Sequence, residues 1–127
     1  MINTEKYVGI PFEDLDCYRF VAYVLQDAAG IIVPTFDTIS TTNHRRIFLN
    51  FLQEISQNWQ EVDVPQPFDV IAMAYDPEHP NLVQHFGVYI GGGKVLHTIK
   101  HVGSHIVAIN SPLIKQTIKG IYRWTLI

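Results

Sequence analysis

Apolar residues at Cys17, Phe20, Val21, Val24, Leu25 and Ala28 follow the i, i+3, i+4, i+7, i+8, i+11 series of a helix with one buried face. Asp16 stands where an N-cap belongs and Gly30 where a helix stops, which predicts a first helix from Cys17 to Ala29. Upstream, Tyr7 to Leu15 contains Gly9 and Pro11 and reads as a loop or a short extra turn leading into this helix. Downstream, residues from Gly30 to Thr42 have no steady period and read as irregular. Asn43 is placed to cap a second helix, in which positions 48, 51, 52 and 55 make the clearest apolar stripe and which ends before Pro65.

The period then changes. Phe68 to Ala74 is short, apolar and rich in strand formers, as a central strand should be, and Asp76 to Pro80 is a loop with two prolines. Val83 to Ile90 and Lys94 to Lys100 read as a hairpin around Gly91, Gly92 and Gly93. Ser104 to Ile109 predicts a fourth strand, Ser111-Pro112 the start of a short helical turn through Lys119, and Ile121 to Leu126 a closing strand. If the three glycines form the turn, Ile90 faces Lys94, Gly87 faces His97, and His85 is the diagonal neighbour of His97 on the same face. A turn one residue shorter or longer would send the two histidines to opposite faces. The fold class expected is α+β, with N-terminal helices packed on an antiparallel sheet, in a single domain over residues 1–127.

Composition narrows the functional classes. A net charge of −3 offers no electrostatic reason to expect nucleic acid, and 47% hydrophobic with 17% charged residues argues against disorder. One cysteine excludes an internal disulfide framework. The N-terminal residues lack the basic start and apolar run of a signal peptide, and no stretch approaches the length of a membrane span.

The chemistry resides in Cys17, His85 and His97. A thiol in the first turn of a helix sits where backbone N–H dipoles favour an anion, and Asp16 beside it opposes that effect, so a base is needed. A cysteine nucleophile requires a base within hydrogen-bond reach, and the base requires a third group to fix its tautomer. His85 as base and His97 as orienting group complete the set, with Cys17 and His85 expected to form a thiolate–imidazolium pair. Gly87, opposite His97, leaves room for the rings or a substrate. A competing arrangement takes His97, His101 and His105 at four-residue steps as one zinc-binding face of a helix, which Gly103 and the strand-rich flanks oppose.

Asp16-Cys17 with Phe20-Val21 resembles the helix start of the NlpC-type cell-wall peptidases, which are papain-like cysteine enzymes. Phe68-Asp69-Val70-Ile71 resembles their first core strand. His85-Phe86-Gly87-Val88-Tyr89-Ile90-Gly91, with Gly93 and His97, is similar to their His-x-Gly-hydrophobic-Tyr-hydrophobic-Gly-x-Gly block. The resemblance implies Cys17 as nucleophile, His85 as general base and then acid, His97 as the orienting residue, and the backbone N–H of Cys17 as one oxyanion donor. It implies hydrolysis of an amide bond in the peptidoglycan stem peptide through a thioester, with no metal or cofactor. Tyr18 and Arg19 stand where the family has small residues and are expected to narrow the cleft. Phe12 replaces an upstream tyrosine, for which Tyr7 is a candidate substitute as oxyanion donor. A short domain without signal peptide or wall-binding repeats looks like the phage-tail branch, with tail-tip proteins as partners and the virion tail, or the cytoplasm before export, as location. Alternatives are an inactive structural or assembly module of the same fold, an effector amidase delivered by a secretion machine, a cytoplasmic enzyme acting on recycled muropeptides, and acyl transfer to or from lipid.

Overall fold

The computed structural model describes residues 3–34 and 44–125. Helix α1 spans Cys17–Ala29, with the Asp16 carboxylate accepting a hydrogen bond from the Arg19 N–H at 3.1 Å and Gly30 ending the helix in the left-handed conformation. Its buried face is Cys17, Tyr18, Phe20, Val21, Val24 and Leu25. Helix α2 spans His44–Asn58. The cap expected at Asn43 lies outside the described residues, as does most of the stretch read as irregular. The apolar face of α2 is rotated from the expected stripe: Ile47 and Phe51 are buried, Phe48 and Ile55 half-buried, and Leu52 is exposed. Phe51 sets the rotation by wedging against Phe86 and Tyr122, with ring centroids 5.4 and 5.3 Å away.

Six strands follow among the described residues: β1 (Trp59–Glu61), β2 (Val70–Met73), β3 (His85–Gly91), β4 (Lys94–Ile99), β5 (Gly103–Ala108) and β6 (Ile118–Trp124). They form one antiparallel sheet in the order β1-β6-β2-β3-β4-β5. The short β1 has no apolar run to announce it. Pairing with β6 makes it, through Trp59 against Trp124 at 5.1 Å. The described residues also include two 3₁₀ turns, Glu5–Tyr7 and Lys115–Thr117, the second falling where a helical turn was expected.

Alternation divides the sheet into two faces. Val70, Ala72, Phe86, Val88 and Leu96 pack with both helices, whereas Ile71, Met73 and Val95 form a second cluster with Ile114. The sheet is pinned at two places. Arg123 donates to both carboxylate oxygens of buried Asp69, at 2.9 and 2.7 Å, joining β6 to the start of β2. Ser104 of β5 holds the N-terminal segment: Gly9 N–H donates to its carbonyl at 2.9 Å, its own N–H donates to the Ile10 carbonyl at 2.9 Å, and its hydroxyl accepts from Ile10 N–H at 2.7 Å. That segment covers part of an otherwise open sheet edge.

The β3–β4 turn differs from expectation. Gly91 pairs with Lys94 across a two-residue Gly92-Gly93 turn, whose φ values of 61° and 74° suit a type I′ hairpin. On its own that turn would invert the register. Ile90 restores it as an extra residue between the Tyr89↔Val95 and Gly91↔Lys94 pairs, so that Gly87 does stand opposite His97.

Candidate active site

Cys17 is the first residue of α1 and is buried, and its thiol points at the carbonyl oxygen of Gln84, 3.7 Å away. Gln84 immediately precedes His85, so the start of the helix meets the start of β3. The first-turn amides of a helix have no intrahelical acceptor and face an incoming anion. His85 and His97 lie on the sheet face of Ile71 and Val95, and Nε2 of His85 is 2.9 Å from Nδ1 of His97. Gly87 makes this approach possible. A Cβ there would fall 2.6 Å from Val95 Cγ1 and 3.2 Å from His97 Cβ.

Both rings are buried, and burial has an electrostatic consequence. Desolvation, followed by the charges of His97 and His105, pushes His85 well below its ordinary pKa. Desolvation and then His105 push His97 down to about 4. A cationic ring is therefore disfavoured at rest, which runs against the thiolate–imidazolium pair expected from the sequence.

Two neighbours of the histidine pair were not expected there from the sequence. Tyr75, after β2, stacks on His85 with centroids 4.5 Å apart and planes at 29°, and its N–H donates to the side-chain oxygen of Gln84 at 3.0 Å. It closes one side of the His85 ring. His105 stands opposite His97 in the β4–β5 register, with Nε2 to Nε2 at 3.1 Å, and its Nδ1 is 2.9 Å from the Gly103 carbonyl. The pairing across the turn at Lys100 to Val102 was the available signal. It also overturns the zinc alternative: residues 97 and 105 are on strands, and His101 lies exposed in the turn between them, with φ 69°.

Other candidates are placed elsewhere. Tyr7 donates to Asp27 at 2.7 Å, ten residues along α1 from Cys17, about 15 Å at the helical rise, and is no oxyanion donor. Tyr18 turns into the core with its ring edge against Phe86, 5.2 Å away, so it does not narrow the cleft. Arg19 is exposed and Asp16 is the helix cap. A hollow of about 420 Å³ lined by Lys6, Tyr7, Ala28, Phe68 and Ile90 opens at the opposite ends of α1 and β3 from Cys17 and His85. Among the described residues, one set of side chains brings three ligand atoms within metal-binding reach, Asp76, Glu78 and His79. Asp76 there accepts from Glu78 N–H and pairs with His79, both at 3.0 Å, as in a capped surface turn.

The profile of the NlpC/P60 family matches residues 5–123. A gamma-DL-glutamyl hydrolase of Bacillus subtilis is 25% identical over 96% of this chain, which spans 28% of that protein. The fold is that of a Bacillus cereus NlpC/P60 family protein (TM-score 0.60, 23% identity, 87% of this chain and 32% of that one). It is likewise that of the NlpC/p60 domain of the peptidoglycan hydrolase SagA (TM-score 0.59, 16% identity, 93% and 90%). No helix among the described residues is long and apolar enough to cross a membrane.

Proposed function

Since this chain belongs to the NlpC/P60 family, we propose that it is a cysteine peptidase that cleaves an amide bond in the stem peptide of peptidoglycan. The observation that carries this reading is the His85–His97 hydrogen bond of 2.9 Å, together with a buried thiol at a helix start that points at the carbonyl of Gln84, the residue before His85. Because Nε2 of His85 is engaged with His97, Nδ1 is the nitrogen it offers to Cys17. His85 takes the thiol proton, Cys17 sulfur bonds to the substrate carbonyl carbon, and the carbonyl electrons move to oxygen, facing the first-turn amides of α1. When the C–N bond breaks, His85 returns the proton to the leaving amine. Water then attacks the thioester with His85 again as base, releasing the acid and restoring the thiol.

The relatives that hydrolyse peptidoglycan or γ-glutamyl bonds support the substrate class. Digestion of defined muropeptides followed by mass spectrometry tests the reading and identifies the bond. We expect new free amine and carboxyl ends with the wild-type protein and none with Cys17→Ala; no cleavage by a folded wild-type protein across the muropeptide set would overturn it. The setting we propose is carriage with a phage tail. Immunodetection in purified virions tests that separately.

A further inference from the structure

The row of three hydrogen-bonded imidazoles ends on a group with only one hydrogen-bonding role. The Gly103 carbonyl can accept but not donate, so the His105 nitrogen 2.9 Å from it, Nδ1, carries a proton. In a neutral ring the other nitrogen is then bare. His105 Nε2 therefore accepts, and the partner at 3.1 Å, His97 Nε2, donates. The same exclusion leaves His97 Nδ1 bare and makes His85 Nε2 the donor across 2.9 Å. His85 is left with a lone pair on Nδ1, the nitrogen a thiol must reach. Each step follows from a ring having one proton and two nitrogens.

Resting on the assignment of His85 as the base, we propose that His105 is a positioning residue that selects the proton-accepting tautomer of His85 through His97. The anchor is rigid. Gly103 has φ 86°, and a Cβ there would lie 2.9 Å from the Ile10 carbonyl oxygen, so the backbone that holds His105 is clamped under the N-terminal segment. Ser104, which binds that segment, lies between the anchor and the ring. A donor-only side chain at position 105 reverses the chain: His97 Nε2 must accept, its Nδ1 donates, and His85 carries its proton on Nδ1, where it blocks the thiol. A carboxamide keeps the direction when its NH2 takes over the bond to the Gly103 carbonyl, because its oxygen is then the atom that accepts from His97.

The test is nitrogen NMR of ring-labelled histidines in the full chain, together with muropeptide cleavage. In the wild type, His85 and His97 should be protonated at Nε2 and His105 at Nδ1. His105→Gln should keep those tautomers and retain activity within about threefold. His105→Lys should move the protons of His85 and His97 to Nδ1 and lower turnover about 10- to 100-fold, the range for a residue acting through another. If His105→Lys does not fold, His105→Leu serves, and should leave His97 and His85 exchanging between tautomers. Unchanged Nε2 protonation of His85 in a folded Lys or Leu variant overturns the proposal. The spectra decide this without any turnover, so an inactive wild type would defeat the peptidase reading alone, whereas an active enzyme with tautomers indifferent to position 105 would defeat this inference alone.

Discussion

Nε2 of His85 and Nδ1 of His97, twelve residues apart in the chain, are hydrogen-bonded at 2.9 Å and share one face of the sheet. The two rings have unequal duties. His85 must move a proton, which an amide side chain cannot do, so His85→Asn should lower cleavage about 10³-fold or more. His97 needs only to accept a bond from His85, so His97→Asn should stay within about tenfold of wild type while His97→Ala loses more. Muropeptide cleavage by the three variants at one pH, with folding checked by circular dichroism, decides it. Equal inactivity of His97→Asn and His85→Asn in folded protein would make His97 a proton carrier.

Gly87 is sterically required. The methyl of Gly87→Ala would lie 2.6 Å from Val95 Cγ1 and 3.2 Å from His97 Cβ. Since β3 and β4 are central in the sheet and cannot separate cheaply, the cost should be about 1–3 kcal/mol, as for an overpacked core. Urea unfolding measures it, and activity should fall as well because His97 Cβ is among the atoms crowded. A variant as stable and active as the wild type would mean that the strands part locally.

The buried histidines should make the fold acid-sensitive. Both rings have folded-state pKa values below the ordinary 6.5, His97 at about 4. Between these values the unfolded chain binds more protons than the folded one, so stability is complete above about pH 6.5 and falls as pH drops toward 4. Each ring contributes a slope of up to about 1.4 kcal/mol per pH unit. Chemical denaturation from pH 7.5 to 4.5 should reveal this slope, and His97→Asn should flatten it. A pH-independent stability in that window would show that the rings remain solvated.

The Asp69–Arg123 pair is a structural bond between β2 and β6, with the carboxylate almost wholly buried and held at 2.7 and 2.9 Å. Arg123→Met strands that carboxylate with only the Gln66 N–H, 2.7 Å away, as its remaining side-chain partner. The expected loss is about 3 kcal/mol, read as a lower urea midpoint, with cleavage per folded molecule unchanged. Loss of activity without loss of stability would point instead to a role at the site.

By itself the sequence determined what depends on neighbours along the chain. The helix from Cys17 to Ala29, its Asp16 cap and Gly30 stop, the α+β class and the hairpin carrying His85 and His97 are all consequences of local period and turn chemistry. Tertiary packing decided the rest. The parity of the two histidines came from an extra residue at Ile90 offsetting a two-residue turn, and no local rule distinguishes that from a three-residue turn. Leu52 lost its predicted place in the core because Phe51 fills the gap between Phe86 and Tyr122. Tyr18 joined the core, and Tyr7 found Asp27 at the far end of the helix. His105 entered the site only through strand pairing, since a contact between residues eight apart exists on a hairpin and not on the helix of the competing zinc arrangement.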